Sequence, residues 1–295
     1  MTDFNYEGVG AALPTPFDDN GDIDFLSLER IINHVIAGGV DYIVALGTTA
    51  ETPTLTKDEK YKLAGFIREI VNSRLPMIIG IGGNNTKAVQ IKIDSFDFTG
   101  YSAILSVTPY YNRPTQEGLF QHFKNLADSS PLPIVLYNVP SRTGVNMEAS
   151  TTIRLSHYSS KISAIKEASG KVEQCRDIIG KAREGFSLIS GDDSSTCGLM
   201  QIGAKGVISV LANALPKSVV DFVNCCKKDE YEKALKCHKE FLPLLHPLFE
   251  EGNPAGLKAL LCHLGLCKNI LRLPLTPVKK EIENNIIKAA SSFIC

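Results

Sequence analysis

Lys166 sits in the run ISAIKEA, an apolar stretch of the kind that forms a buried strand. A lysine there gives up the hydration its charged form depends on, and the neutral amine it then favours attacks carbonyls. The chemistry open to it is Schiff-base formation with a ketone. The iminium serves as an electron sink, and the adjacent carbon, once it loses a proton, becomes an enamine nucleophile. The plainer reading is a lysine that pairs with Glu167 or snorkels to the strand's rim. Neighbours on a strand point to opposite faces, so Glu167 is a poor partner.

Tyr137 closes the preceding apolar run, PIVLYNV, and a phenol there could carry protons to a carbinolamine on Lys166. A core tyrosine is the competing reading. Thr48 and Thr49 follow Gly47 at the head of a turn, where successive backbone N–H groups form an anion-binding concavity and the hydroxyls add a bond or relay a proton. Arg142, in SRTG, offers a planar fork for a carboxylate, against the alternative of a solvated loop cation.

Those residues need a scaffold that gathers strand ends. Runs rich in Val, Ile, Leu and Ala recur at 8–13, 42–47, 77–82, 103–108, 133–139, 162–168, 186–191 and 206–211, each followed by a segment with helical spacing. Residues 24–37 put Phe25, Leu28, Ile31, Ile32 and Val35 on one stripe, which Gly38 and Gly39 then end. Thr56 and Glu59 make a capping box at the head of the next helix. Eight βα units with near-continuous apolar strands predict an α/β protein, a (β/α)8 TIM barrel over 1–228, with a carboxy-terminal helical extension over 229–295. An open doubly wound sheet is the alternative. In a barrel the chemistry belongs at the carboxyl ends of the strands, where GTTAE, VTPYYNRP, YNVPSRTG, IKEASG and SGDDSS fall.

The 295 residues carry 31 Lys and Arg against 32 Asp and Glu, a net charge of −1, so no basic excess invites nucleic acid or anionic lipid. No apolar run is long enough to cross a membrane, and MTDFNYEGVG lacks a signal-peptide pattern, which predicts a cytoplasmic protein. The eight cysteines, all from Cys175 onward, read as reduced thiols on helix faces. GIGGNN lacks the third glycine of a dinucleotide fingerprint, and no metal-ligand spacing occurs among the six His, so neither cofactor nor metal is expected. Asp193, before SSTCGLMQ, reads as a helix N-cap rather than half of a metal site.

Taken together, GTTAE, TPYYNRP, LYNVPSRTG, IKEASG, SGDD and GVISV resemble the dihydrodipicolinate synthase family of class I pyruvate aldolases, in its order and spacing across essentially the whole chain. The resemblance implies that Lys166 forms an imine with pyruvate, and that Tyr137, Thr48 and Tyr111 relay protons, with Tyr111 reaching in from a neighbouring subunit. It further implies that Thr48 and Thr49 hold the pyruvate carboxylate, that Arg142 binds the carboxylate of L-aspartate 4-semialdehyde, and that main-chain groups at Gly191 and Ile208 line the imine pocket. The expected assembly is a homo-oligomer, a tetramer built from tight dimers. The implied reaction joins the enamine to the aldehyde and closes the ring to 4-hydroxy-tetrahydrodipicolinate, on the way to diaminopimelate and lysine.

A rival within the same superfamily is an N-acetylneuraminate lyase or a 2-keto-3-deoxy sugar acid aldolase, from which Arg142 and the paired threonines separate this chain. One departure from regulated members stands out. The positions matching their lysine effector site are Thr52, Pro53, Lys57, Lys60, Asn84, Ala88 and Tyr110, where Lys57 and Lys60 replace the usual histidines and Ala88 replaces an acid. Cations without that acid repel a cationic effector, so feedback by lysine is expected to be weak or absent.

Overall fold

A computed structural model describes residues 4–293. Eight strands follow one another around a closed barrel: β1 (Gly8–Ala12), β2 (Tyr42–Ala45), β3 (Met77–Gly80), β4 (Ala103–Val107), β5 (Ile134–Asn138), β6 (Ile162–Glu167), β7 (Ser187–Ser190) and β8 (Gly206–Ser209). The barrel reading therefore holds and the open sheet does not. Helices α1 (Phe25–Ala37), α2 (Lys57–Val71), α3 (Thr86–Ser95), α4 (Gln116–Ser129), α5 (Pro140–Thr143) and α6 (Ala149–Tyr158) alternate with the earlier strands. They are followed by α7 (Val172–Lys181), α8 (Thr196–Gln201), α9 (Pro216–Lys227), α10 (Tyr231–Glu250), α11 (Ala255–His263) and α12 (Lys280–Ala290). Among the described residues, chain contacts group these elements into two compact units: Phe4–Glu7 with Met77–Ile208, and Gly8–Pro76 with Ser209–Phe293.

In the first unit the register of the parallel strands sets which side chains share a face. Val107 pairs with Tyr137, Tyr137 with Lys166 and Lys166 with Ile189, so these side chains point the same way. The next row, Asn138 with Glu167 and Glu167 with Ser190, points to the other face. The Glu167 carboxylate there accepts from Asn138 Nδ2 at 3.0 Å and from Gln174 Nε2 of α7 at 3.0 Å, which makes that face the helix-covered one. Lys166 and Tyr137 consequently face the barrel interior.

In the second unit, α1 buries Leu28, Ile31, Ile32 and Val35 on one stripe, while Phe25 is half-buried against Phe66. Asp24 caps this helix by accepting from Ser27 N–H at 3.0 Å, and Gly39 leaves it at a φ of +85°. The capping box of α2 is formed in both directions, with Thr56 N–H donating to Glu59 Oε2 at 2.8 Å and Glu59 N–H to Thr56 Oγ1 at 3.2 Å. Gly10 of β1 leaves room for Tyr42, since a Cβ there would lie 2.1 Å from the tyrosine ring. The expected carboxy-terminal helices are present as α10, α11 and α12, with a non-helical stretch over 264–279 between the last two, and α10 continues through Pro243 and Pro247.

One local expectation fails. Asp193 does not cap α8, whose N-cap position is Ser195. The preceding turn is organised by Asp192 instead, whose carboxylate accepts from Ser194 N–H at 3.1 Å and from the Ser194 hydroxyl at 2.7 Å. A short Asx turn at Asp192 thus comes before the helix and shifts its start to Thr196, past the position that the sequence pattern assigned to a cap.

Candidate active site

Lys166 is 5% exposed at the end of β6, and its Nζ lies 4.5 Å from the centroid of the Tyr137 ring. Register places Tyr137 beside it, because β5 and β6 pair residue for residue at that row. Among the described residues no carboxylate forms an ion pair with Lys166, although Glu167 is its sequence neighbour. The Glu167 carboxylate is buried on the opposite face and fully engaged by Asn138, Gln174 and the Ser169 N–H, the last at 2.7 Å. The expectation that Glu167 would not partner Lys166 therefore matches the structure.

Gly191 follows β7 and donates its N–H to Glu167 O at 2.8 Å. A Cβ at this glycine would stand 3.1 Å from Lys166 Cγ and 2.9 Å from Ala168 Cβ, so the absence of a side chain is what gives the lysine stem its space. Ile208 is buried in β8. Because Ser190 pairs with Val207, residue 208 falls on the same face as Ile189 and Lys166.

The loop after β4 carries Tyr111 at a φ of +75° and Arg113 at +50°, a left-handed pair that is uncommon for residues with side chains. Tyr111 is 86% exposed, and its N–H reaches Thr143 O at 3.4 Å, tying this loop to the SRTG turn. Arg142 lies on α5, a single turn closed by Gly144 at a φ of +73°, and is exposed. Arg113 brings a second guanidinium to the same turn, its Nε 3.1 Å from where a Gly144 Cβ would sit. The sequence reading passed over Arg113, although it stands inside one of the quoted strings.

In the second unit, Thr48–Ala50 forms one turn of 3-10 helix after β2, flanked by Leu46 and Glu51, each at a φ of 53°. Thr49 is buried, and its Oγ1 accepts from Asn253 Nδ2 at 2.9 Å. Two residues on, the buried Glu51 pairs with the fully buried Lys258 of α11 at 2.5 Å and accepts from Arg272 N–H at 3.1 Å. Burial pushes the Lys258 ammonium below the ordinary lysine range while the Glu51 charge pulls it back. Arg272 also grips Glu59 of the capping box with two nitrogens, at 3.0 and 2.6 Å, and this holds the Glu59 carboxyl down at about 2. Asn253, Lys258 and Arg272 were not singled out from the sequence.

Among the described residues no cluster of His, Cys, Asp and Glu could hold a metal ion. His122 is buried against Thr86, and burial pushes its ring down to about 4, so it stays neutral at ordinary pH. No helix among the described residues is long and apolar enough to cross a membrane.

What this arrangement can do is form an imine: a buried amine without an acidic partner, a phenol in register beside it, and a glycine holding space at its stem. Comparison with known proteins points the same way. Residues 5–292 match the model of the dihydrodipicolinate synthetase family. The chain is 46% identical over 279 residues to the 4-hydroxy-tetrahydrodipicolinate synthase of Parabacteroides distasonis, covering 95% of this chain and 94% of that one. It superposes with a TM-score of 0.95 and 37% identity on the dihydrodipicolinate synthase of Thermotoga maritima, over 98% of this chain and 99% of the other. A monomeric dihydrodipicolinate synthase variant gives the same TM-score and identity, over 98% of each chain.

Proposed function

The chain belongs to the dihydrodipicolinate synthetase family, and from that premise we propose how its residues condense pyruvate with L-aspartate 4-semialdehyde. Lys166 attacks the pyruvate ketone; the carbinolamine loses water to become an imine, and loss of a methyl proton gives the enamine. The enamine carbon attacks the aldehyde, forming the new carbon–carbon bond. The substrate's own amine then displaces Lys166 by transimination, closing the ring to 4-hydroxy-tetrahydrodipicolinate and freeing the lysine.

The observation that carries this reading is the environment of Lys166: buried, on the interior face, beside Tyr137, with no acid committed to it among the described residues. Tyr137 and Thr48 relay protons, and Thr49 takes the pyruvate carboxylate. The Gly191 main chain and Ile208 line the imine pocket. Arg142 receives the carboxylate of the semialdehyde, as its exposure at the SRTG turn supports. Tyr111 completes the relay in a neighbouring subunit; an 86% exposed aromatic side chain on a left-handed residue supports a role outside its own subunit. The working assembly is then a tight dimer, paired into a tetramer, in the cytoplasm.

Borohydride reduction in the presence of pyruvate tests the assignment. Peptide mass mapping is expected to find the pyruvyl adduct on Lys166 and to find none in Lys166→Arg. An adduct on another lysine, or none at all, refutes it. Adding the semialdehyde and detecting the cyclic product tests the second substrate, and Arg142→Ala should raise the KM for that substrate alone.

A further inference from the structure

The Thr48–Glu51 turn treats its hydroxyls unequally. Thr54 donates its hydroxyl to Glu51 O at 2.9 Å and Thr15 donates to Ala50 O at 2.8 Å, the usual way a threonine near a turn satisfies itself. Thr49 does neither. Its oxygen accepts from Asn253 Nδ2, and among the described residues its O–H donates to nothing. A hydroxyl that accepts from an amide N–H still has its one O–H proton to donate, and that bond steers where the proton points.

Asn253 reaches this turn from far along the chain and is itself buried. It immediately precedes Pro254 and α11, and four residues into α11 Lys258 pairs with Glu51. The same helix end therefore meets the turn twice, at Thr49 and at Glu51. That double attachment fixes the amide against the hydroxyl rather than leaving a loop side chain to find it.

We propose that Asn253 is a positioning residue of the reaction, orienting Thr49 so that its hydroxyl proton is reserved for the carboxylate of the 2-ketoacid. This rests on the reading of Thr49 as a carboxylate ligand. A hydrogen bond to a charged group is lost when the threonine can turn its proton back onto a backbone carbonyl, as Thr54 and Thr15 do.

A double-mutant cycle on the full-length enzyme tests it, with steady-state KM for each substrate and the melting midpoint as readouts. Thr49→Val should raise the KM for pyruvate roughly tenfold, the scale of one lost charge-assisted bond. Asn253→Ala should raise it by about as much, leave the KM for the semialdehyde within about twofold, and add nothing in the Thr49→Val background. Asn253→Asp preserves volume but can only accept, so it should draw the Thr49 proton to itself and raise the pyruvate KM at least as far. That variant carries the test if the alanine variant does not fold. If Thr49→Val raises the KM and neither Asn253 variant does, the proposal fails alone. It also fails if Asn253→Ala has the same effect with and without Thr49. If Thr49→Val changes nothing, the carboxylate reading of Thr49 falls, and this proposal with it.

Discussion

Replacing Lys258 with methionine would strip one charge from the frame behind the Thr48–Glu51 turn. Lys258 and Glu51 are both buried, with Nζ 2.5 Å from Glu51 Oε1, 2.8 Å from Ile270 O and 4.2 Å from the centre of the Phe17 ring. Methionine keeps most of the volume and the contact with Phe17 but supplies neither charge nor donor. Glu51 is left with the Arg272 N–H at 3.1 Å and the more distant charge of the Arg272 guanidinium, too little for a carboxylate out of water. Breaking a buried pair in this way costs about 3–5 kcal/mol, because the surviving charge is uncompensated. In a chain of this length that corresponds to a drop of roughly 5–8 °C in the melting midpoint.

The design that isolates the cause is the pair Lys258→Met and Lys258→Met with Glu51→Gln. The glutamine oxygen still accepts from Arg272 N–H while the orphan charge disappears, so the double variant should regain about 2 kcal/mol over the single one. Guanidinium unfolding at neutral pH reads both, with an unchanged m-value as the sign that the compared states are the same. A Lys258→Met variant within about 1 kcal/mol of the parent refutes the reasoning, and so does a double variant no more stable than the single one.

The other predictions are shorter. Arg272→Met removes the main force holding Glu59 at about 2, against 4.5 for a free carboxyl. A depressed carboxyl contributes stability that is fully present above about pH 4.5 and is lost as pH falls towards 2, so the variant should unfold at a higher pH on acid titration. Gly191→Ala pushes a methyl group to 3.1 Å from Lys166 Cγ and 2.9 Å from Ala168 Cβ, and should slow borohydride-trapped imine formation about tenfold with little change in melting. An unchanged trapping rate contradicts the claim that this glycine keeps the lysine stem free. Half-inhibition by lysine should not occur at sub-millimolar effector in a steady-state assay, since Lys57 and Lys60 add cations where Ala88 supplies no acid.

Much of this was legible before any coordinates. Buried strands announce themselves as short apolar runs, and each of the eight lies within two residues of its predicted limits because little besides a strand can use such a run. Lys166 was legible for the same reason, as one charge interrupting an apolar pattern. Lys258 carries that very signal, in AGLKALL, and it went unread because no familiar string surrounds it. Asn253 has no local signature at all. Its meaning is a hydrogen bond spanning 204 positions, and only folding makes that pair. Asp193 was misread because acidic residues before a helix serve turns as readily as caps.

Among the described residues two lysines are buried, and their surroundings differ. Each Nζ lies over an aromatic ring, at 4.5 Å from Tyr137 for Lys166 and 4.2 Å from Phe17 for Lys258, so neither depth nor a ring tells the two apart. The acid does. Lys258 has Glu51 and the Ile270 carbonyl, a set that needs its proton in place. Lys166 has an acid next to it in sequence, but strand alternation sends Glu167 to the helix-covered face, where Asn138, Gln174 and Ser169 occupy it. Lys166 is thereby left without a salt bridge among the described residues. The same polypeptide thus ties one buried lysine to a carboxylate and, through strand parity, turns the carboxylate nearest in sequence away from the other, the environment on which the proposed role of Lys166 rests.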